Sequence, residues 1–416
     1  MRIGVIGLGY VGLPLAVAFA EAGHDVVCFD VDAAKVSALR EGRSYIEDVG
    51  AEVLGPLGDR LHPTTDPADL GACEALVICV PTPLTNEREP DLTFLEAAAE
   101  TVAAELSPDQ LVVLESTTYP GTTRERLGPI LERGSGLLAG SDFHLAFSPE
   151  RIDPGRTDFT VKTTPKLVGG VSAASTERAE RLYEEICDQV IVLSSPEAAE
   201  LAKLLENVFR SVNIAFVNEL AQLCDRLGID VWEVIDAAAT KPFGFMRFDP
   251  GPGMGGHCLP IDPFYLAFKA REHDFEPAFI ELAGKVNQAQ PAYCVERIER
   301  ALAVDGKRVS GSRILVLGAS YKGGVGDVRE SPALKIIGRL QDMGAEVSYT
   351  DPFVPELRGH GLASVDLDPA LATTDLAAIV TAHPGVDYAN VVATAARVID
   401  FRNVTKGIEA KNLTRL

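Results

Sequence analysis

The sequence predicts an α/β protein in which two doubly wound parallel-sheet domains are joined by a central helical domain with a long spine helix. Short apolar strands alternate with helical segments in the first and last thirds of the chain. Between them, apolar residues recur at helical spacing from about 194 to 227. A length of 416 residues allows two or three domains, and we expect them at 1–193, 194–300 and 301–416.

The first thirty residues contain a Rossmann-like βαβ unit that is typical of dinucleotide binding. A short apolar strand runs into Gly7-Leu8-Gly9-Tyr10-Val11-Gly12, a helix follows, and a second strand ends on Asp30. Gly7 permits a tight turn, Gly9 lets backbone approach a pyrophosphate, and Gly12 lets the helix pack on the strand. The helix N-terminus attracts phosphates. Asp30 can accept hydrogen bonds from the ribose hydroxyls, and this favours NAD over NADP. A glycine-rich turn without a ligand is the alternative.

Three further apolar strands are predicted at 75–80, 111–115 and 143–147, and small polar residues follow each of them. These residues include Thr82, Thr117 and Glu150. The carboxyl ends of parallel strands face the ligand in such a sheet, so these positions are candidates for a site. From its position alone, Glu150 is more readily interpreted as the cap of a turn or helix.

The spine helix begins at Ser194-Ser195-Pro196-Glu197, where a serine cap precedes a proline and an acid, and it ends before Gly228. At 1.5 Å per residue its length is about 48 Å, which exceeds one domain. We therefore expect it to link two lobes and to pack against a second copy, giving a homodimer. Lys203 and Asn207 lie one turn apart on it and can present a cation and an amide to an oxyanion. The spacing alone favours a solvated lysine beside a satisfied asparagine.

The loop at 251–263 is rich in glycine and contains Cys258, with Asp262 four residues later. Glycines let backbone approach a ligand closely, and a thiol presented there can act as a covalent nucleophile. An incidental buried cysteine is an equal alternative, because free cysteines are commonly buried.

The last third repeats the strand–helix–strand plan from 312 without a second GxGxxG sequence. Lys322 and Arg329 lie in the loop after its first strand, which suits a different anionic nucleotide. Two nucleotide folds joined by a helix suggest that two ligands meet in a cleft.

Composition and charge exclude several other classes of protein. Lys and Arg number 38 against 60 Asp and Glu, a formal net charge of −22, so we expect no nucleic-acid and no anionic-membrane partner. The apolar start of the chain is interrupted by glycines and Pro14, which argues against a signal anchor. The seven cysteines contain no CxxC pair, so we expect no metal, no disulfide framework and a cytoplasmic location.

Together these motifs resemble the UDP-glucose/GDP-mannose dehydrogenase family over essentially the whole chain. The resemblance rests on the glycine–cysteine loop, the Lys203/Asn207 helix, the Ser148-Pro149-Glu150 turn and the Glu330-Ser331-Pro332 segment. Within the family, the chain is most similar to the UDP-N-acetyl-hexosamine 6-dehydrogenases in Lys241–Phe245, in Gly-His-Cys and in Glu115–Gly121. UDP-glucose dehydrogenases usually have Gly-Ser-Cys, a lysine in place of Ile261 and a second glutamate in place of Pro154.

The resemblance implies an NAD-dependent nucleotide-sugar 6-dehydrogenase. Such enzymes oxidise a sugar C6 alcohol to the carboxylate of a uronic acid with two NAD+, through a thiohemiacetal and a thioester on the cysteine. UDP-N-acetylglucosamine is the expected substrate, and UDP-glucose and dTDP-glucose are alternatives. A single-step β-hydroxyacid dehydrogenase and a non-catalytic NAD-binding protein are more distant ones. The product could enter a surface polysaccharide or a glycosylated small molecule.

The resemblance also implies roles for individual residues. Asp262 through a water, or Lys203, takes the hydroxyl proton, Lys203 and Asn207 stabilise the alkoxide, and Glu150 with Thr117 activates the hydrolytic water. The implied cofactor contacts are Gly7, Gly9, Tyr10, Val11, Gly12, Asp30, Lys35, Thr82, Thr117 and Arg329. The implied substrate contacts are Glu150, Arg151, Lys203, Asn207, Gly255, Lys322 and Arg402, and Lys322 or Arg402 could come from a neighbouring subunit.

Overall fold

Residues 1–46, 49–85, 87–152, 158–256 and 259–416 are described by a computed structural model of the chain. The chain divides into two units. The first comprises Met1–Glu206 and Phe264–Phe275, and the second comprises Asn207–Pro263 and Glu276–Leu416. The finer division into three domains at 1–193, 194–300 and 301–416 stays a prediction.

The first unit is built on a sheet of eight strands: β1 (Arg2–Ile6), β2 (Asp25–Phe29), β3 (Leu61–Thr64), β4 (Ala75–Ile78), β5 (Leu111–Leu114), β6 (His144–Phe147), β7 (Lys166–Gly170) and β8 (Val190–Val192). Their order is β3-β2-β1-β4-β5-β6-β7-β8, and only the β6–β7 pair is antiparallel. Every residue of β4 and β5 is buried and apolar. Such strands are typical of a parallel sheet that is covered on both faces.

Helices cover this sheet because each presents an apolar face to it. They are α1 (Gly12–Glu21), α2 (Ala33–Arg40), α3 (Ala51–Leu54), α4 (Thr93–Glu105), α5 (Gly128–Ser135) and α6 (Ala173–Glu184). Leu13, Leu15 and Phe19 of α1 are fully buried in one core cluster with the strands. Leu95 and Val102 of α4 belong to the other cluster of this unit.

The second unit contains a five-stranded parallel sheet and a short hairpin. Its strands are β9 (Arg313–Leu317), β10 (Glu346–Thr350), β11 (Glu356–Leu357), β12 (Leu362–Ala363), β13 (Leu376–Ile379), β14 (Val398–Asp400) and β15 (Leu413–Arg415). The sheet order is β10-β9-β13-β14-β15, and β11 pairs with β12.

The helices of the chain's second half begin with the spine helix α7 (Pro196–Leu227), which has 32 residues. The others are α8 (Val231–Ala239), α9 (Asp262–Arg271), α10 (Ala278–Ala303), α11 (Pro332–Asp342), α12 (Leu367–Leu371) and α13 (Tyr388–Thr394). Helices α7 and α9 each have residues in both units. Gly228 follows α7 with a φ of 69°, a left-handed conformation that commonly ends helices.

The predicted fold class is confirmed, and so are the positions of the strands that the sequence indicated. Strands β3, β7, β8 and β15 and the hairpin were not predicted. In β7 the obstacle is the pair Gly169-Gly170, since glycine is unfavourable in strands. A Cβ at Gly169 would lie 2.2 Å from the carbonyl oxygen of Ser195, so the approach of the chain entering α7 requires a glycine.

The glycines after β1 are used in three different ways. Gly7 has a φ of 91°, and a Cβ there would lie 2.7 Å from the Cys79 carbonyl oxygen. A Cβ at Gly12 would lie 1.8 Å from the carbonyl oxygen of Gly7. At Gly9, by contrast, no described atom lies within 4 Å of that position. Gly7 and Gly12 are therefore required by the fold itself, whereas Gly9 leaves an open space over the turn.

We expect Gly12→Ala to destabilise the first unit and Gly9→Ala to leave its stability unchanged. Overpacking costs about 1–3 kcal/mol, and each kcal/mol lowers the unfolding temperature by about 2–4 °C in a unit of this size. The measurement is thermal unfolding of both variants with and without NAD+. Without ligand, Gly9→Ala should unfold at the wild-type temperature. On addition of NAD+, its unfolding temperature should rise less than that of the wild type. An unchanged unfolding temperature for Gly12→Ala would contradict the packing argument.

Candidate active site

The turn after β1 is held by the acid at the end of β2. Asp30 is buried, and its Oδ2 accepts hydrogen bonds from the backbone N–H of Leu8 at 2.8 Å and from Lys35 Nζ at 3.0 Å. The N-terminus of α1 has no side-chain cap, so its backbone N–H groups can bind an anion. Together with the space over Gly9, this arrangement fits a dinucleotide whose pyrophosphate lies over the turn. Tyr10, the residue after Gly9, is about half exposed.

The ends of β4 and β5 meet in the first unit, as predicted for parallel neighbours. Thr82 Oγ1 donates a hydrogen bond to the carbonyl oxygen of Thr117 at 2.8 Å. The Tyr265 hydroxyl of α9 donates to the Thr82 carbonyl oxygen at 2.9 Å. Thr118 is fully buried, and its hydroxyl has no hydrogen-bond partner within the described part of the chain. The sequence analysis did not single out Thr118, since adjacent threonines look equivalent until the strand end fixes their directions.

Glu150, at the end of β6, does cap its own turn. Its Oε1 accepts hydrogen bonds from the backbone N–H groups of Arg151 and Ile152, each at 2.6 Å. Its Oε2 lies 3.6 Å from Lys166 Nζ. Arg151 in turn donates to the Pro165 carbonyl oxygen at 2.5 Å and pairs with Glu206 at 2.6 Å. The cap fixes one carboxylate oxygen and leaves the other directed towards a buried cation.

That cation belongs to a buried group that the sequence analysis missed. Lys166 Nζ lies 2.8 and 2.9 Å from the two carboxylate oxygens of Glu115, and the Tyr183 hydroxyl donates to Glu115 at 2.6 Å. Burial alone would lower the pKa of Lys166, but the charges of Glu115 and Glu150 outweigh it and raise the pKa above its usual value. The two carboxylates therefore favour the charged form of Lys166. The only signal in the sequence was a lysine that begins an apolar segment.

The buried face of α7 carries Lys203 and Asn207, as the spacing predicted. Both side chains are buried, which contradicts the interpretation of Lys203 as a solvated lysine. In the second unit, Asn207 Nδ2 donates a hydrogen bond to Asp262 Oδ2 at 2.5 Å. Asp262 is the first residue of α9 and is itself buried. The structure thus brings together two candidate residues that are 55 positions apart in the sequence.

Earlier on α7, Glu200 ties the helix to the loop that follows β5. Its carboxylate accepts hydrogen bonds from the backbone N–H of Gly121 at 2.6 Å and of Thr123 at 2.9 Å. Burial raises the pKa of the Glu200 carboxyl to about 7. These contacts fix the turn of the helix that bears Lys203.

The glycine loop packs tightly within the second unit. The Gly251 N–H donates to Asn218 Oδ1 at 2.9 Å, and its carbonyl oxygen accepts from Gln290 Nε2 at 3.0 Å. A Cβ at Gly255 would lie 2.6 Å from the Cβ of Tyr321. Close packing against its own unit therefore explains this glycine. The predicted nucleophile Cys258 lies outside the described residues, as does His257.

The predicted phosphate-binding residues lie in loops of the second unit. Arg402 follows β14, and its Nε donates to the Val380 carbonyl oxygen at 2.8 Å. Lys322 is partly buried, and Arg329 pairs with Asp327 at 2.6 Å. Their predicted roles towards substrate, and that of Arg329 towards the dinucleotide, stay predictions.

In the second sheet, the acid that corresponds to Asp30 is bound by the turn and by a histidine. Asp351 follows β10 as Asp30 follows β2, and its Oδ2 accepts from the N–H groups of Ala319 at 2.7 Å and Ser320 at 3.0 Å. His383 also contacts this oxygen, at 2.9 Å. The second sheet thus keeps the acid and the turn but occupies them with its own side chains.

The six described cysteines are all free and buried, as expected of core thiols. Burial raises the pKa of Cys28 to about 12 and those of Cys73 and Cys187 to about 11. Such thiols are protonated at neutral pH and are poor nucleophiles. In the described ranges, no group of His, Cys, Asp or Glu is arranged to hold a metal ion. No described helix is long and apolar enough to cross a membrane.

Comparison with known protein families gives matches to three successive parts of the chain. They are the NAD binding domain of the UDP-glucose/GDP-mannose dehydrogenase family at residues 1–187, its central domain at 197–289 and its UDP binding domain at 315–407.

Individual relatives are similar over most of their length. The UDP-N-acetyl-D-mannosamine dehydrogenase of Pyrococcus horikoshii is 38% identical, covering 98% of this chain and 96% of the relative. The UDP-N-acetyl-D-glucosamine 6-dehydrogenase of Pseudomonas aeruginosa is 38% identical, covering 85% of this chain and 83% of the relative. A solved structure of the P. horikoshii dehydrogenase superposes with a TM-score of 0.91 at 35% identity, covering 100% of this chain and 99% of that chain. The chain is therefore a member of the UDP-glucose/GDP-mannose dehydrogenase family, an NAD-dependent oxidoreductase that acts on nucleotide sugars.

Proposed function

We propose that this chain is a UDP-N-acetylhexosamine 6-dehydrogenase that oxidises the C6 alcohol to a carboxylate in two steps through a thioester on Cys258. The observation that carries the proposal is the buried hydrogen bond from Asn207 to Asp262. Asp262 follows Cys258 by four residues, so the pair anchors the thiol-bearing loop to α7. A carboxylate, an amide and a thiol are the groups suited to oxidising an alcohol and trapping the aldehyde.

The residues that would hold NAD are Gly7, Gly9, Gly12, Asp30 and Lys35, and the open space over Gly9 and the uncapped α1 support this assignment. NAD+ supplies the oxidising power by accepting the C6 hydride in each of the two oxidations. The protein itself orients C6, takes the protons and retains the aldehyde.

In the first oxidation, the C6 hydroxyl loses its proton to Asp262 through a water or to Lys203. Lys203 and Asn207 offset the charge on the oxygen as it forms. The sulfur of Cys258 then bonds to the aldehyde carbon and gives a thiohemiacetal, which the second oxidation converts into a thioester. Water adds to the thioester carbonyl while Glu150 accepts its proton. The carbon–sulfur bond breaks, releasing the carboxylate and the thiol.

Two kinds of observation support Cys258 as the nucleophile. The six described cysteines are buried and their pKa values are raised. Cys258 alone belongs to a loop whose anchoring residues, Asn218 and Gln290, bind backbone at Gly251. The six free cysteines of the described residues also fit a reducing compartment, and we propose the cytoplasm.

For the sugar we propose UDP-N-acetylglucosamine first, because the Gly-His-Cys sequence and Ile261 differ from the usual UDP-glucose pattern. UDP-N-acetylmannosamine is the second candidate, favoured by the similarity to the P. horikoshii enzyme over 98% of this chain. The two sugars differ only in configuration at C2. Their discrimination depends on a few pocket contacts worth about 1–3 kcal/mol each.

We also propose that the chain is a homodimer through α7. Six large apolar side chains are exposed on this helix, and they share one face within an arc of roughly 80° at 3.6 residues per turn: Leu201, Leu205, Phe209, Phe216, Leu223 and Leu227. A continuous apolar stripe of this length is typical of a surface that is covered by a partner.

The substrate proposal predicts two NADH per nucleotide sugar at limiting sugar. We would measure NADH yield with UDP-N-acetylglucosamine, UDP-N-acetylmannosamine, UDP-glucose and dTDP-glucose. We expect two equivalents of NADH with an N-acetylhexosamine. With the other sugars, the rate of NADH formation should be lower by about 10-fold or more, which is the factor that a lost pocket contact gives. One NADH per sugar would instead support a single-step dehydrogenase, and none with any sugar would support a non-catalytic NAD-binding protein.

Cys258→Ser should release at most one NADH per sugar, because the hydroxyl cannot form a thioester. The matched control is Cys73→Ser, which changes a buried thiol away from the site. The control should keep a yield of two. Full two-step oxidation by Cys258→Ser would remove this residue from the mechanism.

The double variant Phe216→Arg/Leu223→Arg should be monomeric, because two charges would be buried at the proposed interface. Light scattering should give the mass of two chains for the wild type and of one chain for the variant. The control Val304→Arg places one such charge at an apolar side chain that is exposed outside α7, and it should stay dimeric. A wild-type monomer, or a dimeric double variant, would contradict the proposed interface.

A further inference from the structure

Three side chains of the first unit form a buried polar cluster at the ends of β5 and β7, which we call the lysine cluster: Glu115, Lys166 and Tyr183. Their exposed fractions are 1%, 4% and 0%. The Lys166 ammonium lies 2.8 and 2.9 Å from the Glu115 carboxylate oxygens, and its charge also lies 5.0 Å from the centre of the Tyr183 ring. The cluster therefore buries one full ion pair.

Stability alone does not account for such a pair. Removing two charges from water costs several kcal/mol per ion, and well-packed apolar residues of similar volume often stabilise a protein as well or better. The surrounding core could supply such residues, since the neighbouring positions of β4 and β5 are wholly apolar. A buried lysine at a strand end therefore needs a second explanation.

The position of Glu150 supplies one. Two backbone N–H groups fix its Oε1 at 2.6 Å, while its Oε2 lies 3.6 Å from Lys166. That distance is too long for a hydrogen bond, so Lys166 acts on Oε2 by charge without using its lone pairs. The side chain of Glu150 is 16% exposed, so it is less enclosed than that of Lys166, which is 5% exposed.

We propose that Lys166 is a positioning residue for thioester hydrolysis, held by Glu115 and Tyr183 so that its charge fixes the Glu150 carboxylate while Oε2 stays available to a water. This inference rests on the proposed role of Glu150 as the base of the hydrolytic step. In that step, Oε2 takes one proton from water as the water oxygen bonds to the thioester carbon. The carbon–sulfur bond then breaks, the leaving sulfur of Cys258 takes that proton from Glu150, and the second water proton leaves as the product acid ionises to the carboxylate.

Glu115 has a separate part in this arrangement. Its two short contacts hold the ammonium, so the ammonium is not drawn fully onto Glu150. Without Glu115, the nearest carboxylate to Lys166 is that of Glu150. A direct hydrogen bond would then form and occupy the oxygen that must accept the proton. Both the charge of Lys166 and its distance from Oε2 therefore matter.

The test separates oxidation from hydrolysis in the full-length enzyme with NAD+ and UDP-N-acetylglucosamine or whichever sugar of the panel is oxidised. In Lys166→Met/Glu115→Gln no buried charge is left without a partner. We expect a rapid burst of two NADH per subunit, followed by steady-state turnover slowed about 10- to 100-fold, within the range of a general base. Intact mass should show the thioester adduct. Glu115→Gln alone, which keeps the charge, should also give a burst and slowed turnover.

Glu150→Gln is the reference, and it should show the same burst and adduct. The control Arg397→Met/Asp305→Asn removes an ion pair in the second unit, whose atoms lie 2.5 Å apart, and should show neither. Suppose that Glu150→Gln shows the burst. The positioning role is then wrong if both lysine-cluster variants lose burst and turnover equally, and it is also wrong if both keep wild-type turnover. If Glu150→Gln shows no burst, the proposed base is wrong and the inference falls with it.

Discussion

The hydrogen bonds made by the buried polar side chains of α7 are the contacts on which the candidate site depends. Glu200 binds the loop after β5, Asn207 binds Asp262, and Asn218 binds the start of the glycine loop. Together with Lys203, these side chains lie within an arc of roughly 60° on the helix. The opposite face carries the exposed apolar stripe from Leu201 to Leu227. The buried part of α7 thus combines these polar groups with apolar side chains such as Leu204 and Val208, and a second apolar stripe faces outwards.

The buried polar groups of α7 have an energetic consequence. A buried polar side chain is costly unless each of its groups finds a partner, and the contacts of α7 supply such partners from backbone and side chains. Once satisfied in this way, the groups have defined positions, because a buried hydrogen bond that is broken costs about 1–3 kcal/mol. The apolar side chains of the outer face, by contrast, lie where only another surface can cover them.

The two sheets show how one architecture can serve two purposes. In each, an acid at the end of a strand binds backbone N–H groups in the turn after the neighbouring strand, Asp30 in the first sheet and Asp351 in the second. In the first sheet the turn contains Gly9, which leaves an open space. In the second sheet the acid is also bound by the side chain of His383, which has no histidine counterpart at Asp30 among the described contacts. The difference lies in which groups face the turn and not in the order of the strands.

The sequence by itself determined the strand–helix alternation, the glycine turn with Asp30, the limits of α7 and the shared face of Lys203 and Asn207. These features depend on local periodicity, on turn chemistry and on spacing within one helix, all of which are written in neighbouring residues. Only the tertiary structure decided that Asn207 meets Asp262 and that Lys166 lies between Glu115 and Glu150. The partners are 55 and 51 residues apart in the chain. Lys166 reaches its partners because β7 pairs antiparallel with β6 beside β5, and no local pattern in the sequence encodes that order.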